Sequence, residues 1–179
     1  MMIIRKARAS DIAKVGQSYT DLLLYERENG STSNWVLGLY PTIAVAETAF
    51  RSQTLYVLVV EDKVCGSMIL NHLQPEEYQR VEWQYIGNED EILVLHTLCI
   101  PPDCAGRGYG QKMVDYALNL ALEQNLLALR LDTWEGNKPA AALYTKMGLR
   151  YAGTTHALFQ GAIPCELIFF EKSIRPSAD

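Results

Sequence analysis

Ile100-Pro101-Pro102-Asp103-Cys104-Ala105-Gly106-Arg107-Gly108-Tyr109-Gly110 is the stretch that decides the fold. Ahead of it, Ile92 to Ile100 reads as a strand, and Pro101-Pro102 stops it. Behind it, Met113, Val114, Ala117, Leu118, Ala121 and Leu122 recur with helical period on one face. Between the two lies a glycine-rich turn. Glycine admits positive φ and lets backbone come close to a ligand. The N–H groups of the first helical turn then point outward, and with the helix dipole they make a place for phosphate. The spacing is neither the G-x-x-x-x-G-K-[ST] of a P-loop nor the G-x-G-x-x-G of a dinucleotide fold. A glycine turn that holds nothing is the plain alternative.

Outward from this centre, Met2 to Lys6 reads as an opening strand. A helix capped by Ser10 or Asp11 runs to about Glu28, where Asn29-Gly30 stops it. Pro41 is placed in the first turn of a second helix ending near Arg51. Leu55 to Val60 and Val64 to Asn71 flank Glu61-Asp62-Lys63 as an antiparallel hairpin. The polar stretch Gln74 to Glu91 holds a possible strand at Arg80 to Ile86. Past the central helix come a strand at Leu127 to Asp132 and a short helix at Lys138 to Met147, which Gly148 ends. Strands near Leu149 to His156 and Pro164 to Lys172 close the chain. This order predicts an α/β fold of the α+β type, a mixed and largely antiparallel twisted sheet flanked by helices. With 179 residues and no linker or repeat, residues 1–179 are expected to form a single domain.

Composition narrows the partners. The longest apolar run, Leu55 to Val60, is six residues, against about 20 for a membrane span. The N-terminus meets Arg5, Lys6 and Arg8 at once and reads as no signal peptide. A net charge of −5 argues against nucleic acid. The charge is uneven: Ala105 to Arg150 carries six bases against four acids, whereas Glu61 to Glu91 carries eight acids against two bases. The first stretch suits an anion and the second a cation; solvated surface is the bland reading of both. Cys65, Cys99, Cys104 and Cys165 form no C-x-x-C and read as reduced thiols of a cytoplasmic protein. His72, His96 and His156 lack metal-ligand spacing.

The window Ala105-Gly106-Arg107-Gly108-Tyr109-Gly110 resembles the [QR]-x-x-G-x-[GA] turn of the GNAT superfamily of acetyl-CoA-dependent N-acetyltransferases. Both glycines are present, and Ala105 replaces the leading Gln or Arg. Downstream, Asn137 to Leu149 is similar to that family's N-x-x-A-x-x-[LF]-Y-x-K-x-G-F segment, with Leu149 for Phe. The likeness is strong from about Ile92 to Leu149; the N-terminal half matches in element order alone.

The resemblance implies acetyl-CoA as cofactor and a primary amine as acceptor. The backbone of Ala105 to Gly110 would hold the pyrophosphate. Leu98, Cys99 and Ile100 would lie beside the pantetheine arm, and an N–H near Leu98 would polarise the thioester carbonyl. Asn137 and Lys146 would complete the cofactor side, with Lys138 a further candidate for a phosphate. Tyr144 occupies the family's tyrosine position and would protonate the departing thiolate; a packed aromatic is the alternative. His96 shares a strand face with Val94, Leu98 and Ile100, and an imidazole there suits proton removal at neutral pH. A core histidine is its alternative. Cys99 and Cys104 are read as structural. Trp83 and Tyr85 are expected either to line an acceptor pocket or to sit in an edge strand. The whole points to an N-acetyltransferase acting on a cationic small molecule, possible as a homodimer through its C-terminal strands. A protein or peptide N-acetyltransferase and a non-catalytic CoA-binding module are the rivals.

Overall fold

The computed structural model describes residues 1–174. Seven strands run through it: β1 Met2–Lys6, β2 Leu55–Val60, β3 Lys63–Asn71, β4 Ile92–Cys99, β5 Ala128–Trp134, β6 Arg150–Phe159 and β7 Ile163–Ser173. Four helices accompany them: α1 Ile12–Asn29, α2 Ile43–Arg51, α3 Tyr109–Glu123 and α4 Lys138–Lys146. The strand order is β1-β2-β3-β4-β5-β7-β6. β1·β2, β2·β3, β5·β7 and β6·β7 are antiparallel, and β4·β5 is parallel. This is the mixed, mostly antiparallel sheet that the element order predicts.

The chain divides into two compact units, residues 1–70 with 96–113 and residues 71–95 with 114–179. In the first, alternate β2 residues Leu55, Val57 and Val59 join Val15 and Tyr19 of α1 and Ala46 and Ala49 of α2 in one buried cluster. Period 2 on the strand meets period 3.6 on the helices, which is how a sheet face and helix stripes share a core. The hairpin turn is tight because Glu61 and Asp62 both take positive φ, 48° and 68°, the geometry that matches strand twist. In the second unit, Ile92 and Val94 of β4, Ala128 of β5 and Leu167 and Phe169 of β7 form the core, with Tyr78 and Val81 packed among them.

Three local expectations are corrected. Asp11 does not cap α1 with its side chain. Its carboxylate turns back and accepts from the Arg8 N–H (2.7 Å) and from the Arg5 guanidinium (2.6 Å). Pro41 precedes α2 instead of opening its first turn, because Thr42 holds the N-cap in an extended conformation. Residues 80–86 form no strand. Their polar backbone is satisfied by side chains instead: Gln84 N–H donates to Glu171 (2.6 Å), and the Tyr85 carbonyl accepts from Arg130 (2.6 Å). Trp83 lies edge-on to Phe169, ring centroids 6.0 Å apart, with the Arg130 guanidinium 4.1 Å over its ring. Trp83 and Tyr85 are therefore partly buried packing residues of the second unit's core.

Candidate active site

The first unit holds the end of β4, the glycine turn and the start of α3. Ala105, Gly106, Arg107 and Gly108 are exposed. Gly106 and Gly108 both take φ of +74°, and a Cβ added at either would meet nothing within 4 Å. Two facts follow. The left-handed backbone requires glycine here, and the space in front of the turn is open to a ligand. The Gly108 carbonyl accepts from the Lys112 N–H (3.2 Å), so α3 starts with its first N–H groups at this turn. Arg107 donates to the Asp103 carbonyl (3.2 Å) and shares a side-chain hydrogen bond with Tyr109, which holds the guanidinium pKa above its usual value. A diphosphate fits this cradle: open, glycine-lined, at the N-terminus of a 15-residue helix. No group of three potential metal ligands occurs among the described residues.

Along β4 every residue from Ile92 to Leu95 is buried, Val94 included, as are Thr97 and Cys99, whereas His96, Leu98 and, just past the strand, Ile100 are partly exposed. Thr97 takes φ of +50°, a strained conformation for a β-branched residue and a departure from extended strand geometry. The Tyr40 hydroxyl holds it, 2.5 Å from Thr97 Oγ1. Neither residue was signalled by the sequence, because a lone Thr in an apolar strand carries no local cue to a left-handed backbone, and its partner Tyr40 lies 57 residues away. The Cys99 thiol faces inward, in the α1/α2 cluster, where burial raises its pKa; only its backbone could meet a pantetheine arm. Cys104 is buried with Sγ 2.7 Å from that of Cys65. Burial and the Cys65 thiol push Cys104 up to about 12, so it is no thiolate nucleophile.

The second unit holds Asn137, Tyr144 and Lys146. Asn137 caps α4, its Oδ1 accepting from the Ala140 N–H (3.2 Å), and Pro139 follows inside the first turn. That side-chain oxygen is thus already occupied. Tyr144 is buried, 5% exposed, with its ring 5.6 Å from Phe170. Burial, then the charge of Asp132, raises its pKa, which keeps the phenol in its proton-donating form. Lys138 and Lys146 are exposed.

Beside Tyr144 the second unit places a group that the sequence reading passed over. Asp132 is partly buried at the end of β5, and Tyr78 O–H donates to its Oδ1 (2.7 Å). Burial pushes this carboxyl up to about 6, with the Tyr78 hydrogen bond opposing and the charge of Glu77 adding. A carboxylate closing an otherwise apolar run, Leu126 to Leu131 broken by Arg130 alone, was the available signal.

Residues 23–149 match the model of the Acetyltransferase (GNAT) family, and the chain belongs to that family. An acetyltransferase of the GNAT family from Streptococcus agalactiae superposes with a TM-score of 0.80, at 18% identity, covering 98% of this chain and 96% of that one. The yncA structure from Salmonella typhimurium, solved with its cofactor acetyl-CoA, has a TM-score of 0.70 at 15% identity and covers 99% and 96%. These two likenesses show the fold. Streptothricin acetyltransferase of Escherichia coli is 31% identical over 94 residues, 52% of this chain and 51% of that protein. The chain thus spans about half the length of that curated relative. Among the described residues no helix is long and apolar enough to cross a membrane.

Proposed function

We propose that this chain is a single N-acetyltransferase domain that moves an acetyl group from acetyl-CoA directly to a primary amine of a cationic small molecule. The observation that carries the donor is the exposed turn at Gly106 and Gly108, open in front and set at the start of α3. Bound there, acetyl-CoA supplies an activated thioester. The turn's backbone and the first N–H groups of α3 hold its diphosphate, and Ala105, which has no polar side chain, leaves that work to the backbone. The left-handed backbone at Thr97 supports a role for the Leu98 backbone at the thioester carbonyl, since it breaks the extended geometry that a regular ladder needs just before Leu98. Tyr144 supplies the proton to sulfur. For the amine's proton there are three candidates: His96 on β4, directly or through water, an acidic group, and water itself.

A small-molecule acceptor is supported by the streptothricin acetyltransferase likeness and by the acidic stretch from Glu61 to Glu91. The same reading places the protein in the cytoplasm, its cysteines free thiols. It also carries a homodimer through β6, which ends the strand order and exposes Tyr151 and Leu158; light scattering measures it. Release of free thiol from acetyl-CoA, followed across streptothricin, polyamines, amino-acid amines and peptide N-termini, tests the function. Turnover with the small cationic amines is expected. Turnover with peptides alone would replace the acceptor class, and tight CoA binding without any turnover would leave a CoA-binding module.

A further inference from the structure

We propose that Asp132, oriented by Tyr78, is the group that holds the acceptor's ammonium and takes its proton. This role rests on the amine acetyltransferase reading, because an ammonium must be present to lose a proton.

Position comes first. β5 pairs in parallel with β4 over Ala128–Leu131 only, whereas its pairing with β7 continues to Trp134. Asp132 is the first residue past the end of the parallel ladder, opposite Phe169 of β7. Open sheets bind ligands at the carboxyl ends of parallel strands, where pairing stops.

Partners come second. Tyr78 is 2% exposed, its ring wedged against Trp83 (5.4 Å) and Phe169 (5.2 Å), and its carbonyl accepts from Trp83 Nε1 (2.7 Å). Its hydroxyl therefore points in one direction, at Oδ1 of Asp132. Oδ2 has no hydrogen-bond donor among the described residues, and Asp132 forms no ion pair there. A base fixed by a second group, with one oxygen left over, is the geometry of a proton acceptor.

Surroundings come third. The titratable groups that feel Asp132 are Glu77 and Tyr78 of the turn at Glu76–Arg80, Tyr144 of α4 and Cys165 of β7. None of them is a cation. Arg130, on the same strand, is turned to Gln74, Tyr85 and Glu171. A carboxylate facing only acids, phenols and a thiol is short of one positive charge, which an ammonium supplies. The environment also separates two groups in the way an acid–base pair requires: the Tyr144 phenol is held protonated while Asp132 titrates near 6. One proton passes from the ammonium nitrogen to Oδ2 and leaves to water. The freed lone pair forms the N–C bond as the C–S bond breaks onto sulfur. Tyr144 gives sulfur its proton and regains one from the nitrogen, so one proton is released per turnover.

The test has one arm that needs no activity. Protein labelled with 13C at aspartate carboxyls is titrated alone and with spermidine, in wild type, Asp132→Asn and Tyr78→Phe. One resonance, absent from Asp132→Asn, is expected to titrate at about 6. It should move lower when spermidine binds and higher in Tyr78→Phe, which loses the hydrogen bond to the ionised form. In turnover assays with any accepted amine, Asp132→Asn is expected to lower kcat/KM by about 100-fold or more and to erase the acidic limb of the pH profile. Its KM for acetyl-CoA should stay within about twofold of wild type. A resonance titrating near ~4, the ordinary carboxylate range, overturns the proposal. So does an Asp132→Asn enzyme that keeps both rate and limb. A wild-type protein that acetylates none of the amines refutes the acetyltransferase reading, and the titration still decides Asp132.

Discussion

Tyr144 and Asp132 sit in one unit, yet only one of them was legible beforehand. Tyr144 stands out because Asn137 and Gly148 frame it at fixed spacing. Replacing it by Phe keeps the ring against Phe170 and removes the proton, so kcat is expected to fall about 100-fold while acetyl-CoA affinity holds. Steady-state kinetics with both substrates varied measure this; an unchanged kcat removes the acid role. Asp132 was hidden because it reads as the polar end of a strand, and its significance lies in Tyr78, 54 residues away. Its raised pKa has a thermodynamic sign. Between the unfolded value near 4 and the folded value near 6, the native state binds the extra proton, so this group's contribution to stability declines as pH rises. Asp132→Asn is therefore expected to gain about 1–3 kcal/mol at pH 7 and nothing below about pH 4. Urea unfolding at the two pH values checks the difference. Asp11 runs the other way. Burial works against its charge but is outweighed by Arg5 and the Arg8 N–H, so its carboxyl sits below the ordinary range. Its contribution is present above that range and is lost as pH falls through the folded value.

At the level of elements, the central turn and α3 were readable because glycine, proline and a clean helical stripe all agree on them. Substituting Gly108 with Ala tests the turn. A left-handed φ of +74° on an L-residue costs about 1–2 kcal/mol, and the methyl enters the open cradle. The expected result is about a tenfold rise in KM for acetyl-CoA with a small drop in Tm; an unchanged KM would separate the turn from the diphosphate. The segment at 80–86 was misread for a physical reason. Its alternating aromatics look like a strand, but their backbone partners are the Glu171 carboxylate and the Arg130 guanidinium. No local pattern foretells a strand replaced by two distant charged side chains. Glu171 is fully buried and is paired with Arg150 and, at 3.8 Å, with Arg130. Glu171→Ala strands the buried Arg130 charge and is expected to destabilise by about 3–5 kcal/mol. Chemical denaturation measures it, and a loss under about 1 kcal/mol would mean that water replaces the carboxylate.

For the molecule as a whole, the fold class followed from element order, because each helix and strand announces itself by period. The partition into two compact units did not, because it depends on which elements pack together rather than on what each one is. The boundary falls inside β4, between Leu95 and His96, and inside α3, between Met113 and Val114. The polypeptide thus crosses from one unit to the other three times, at 70/71, 95/96 and 113/114. Neither unit is a contiguous stretch of gene. On the ribosome, the first 70 residues emerge without the β4 segment and the glycine turn that complete their unit. The full set of contacts of that unit is available only once Met113 has left the exit tunnel, and by then 25 residues of the other unit are already out. Nascent chains arrested before that point are expected to stay protease-sensitive throughout, and a chain cut in two at 70/71 should yield halves that fold only together.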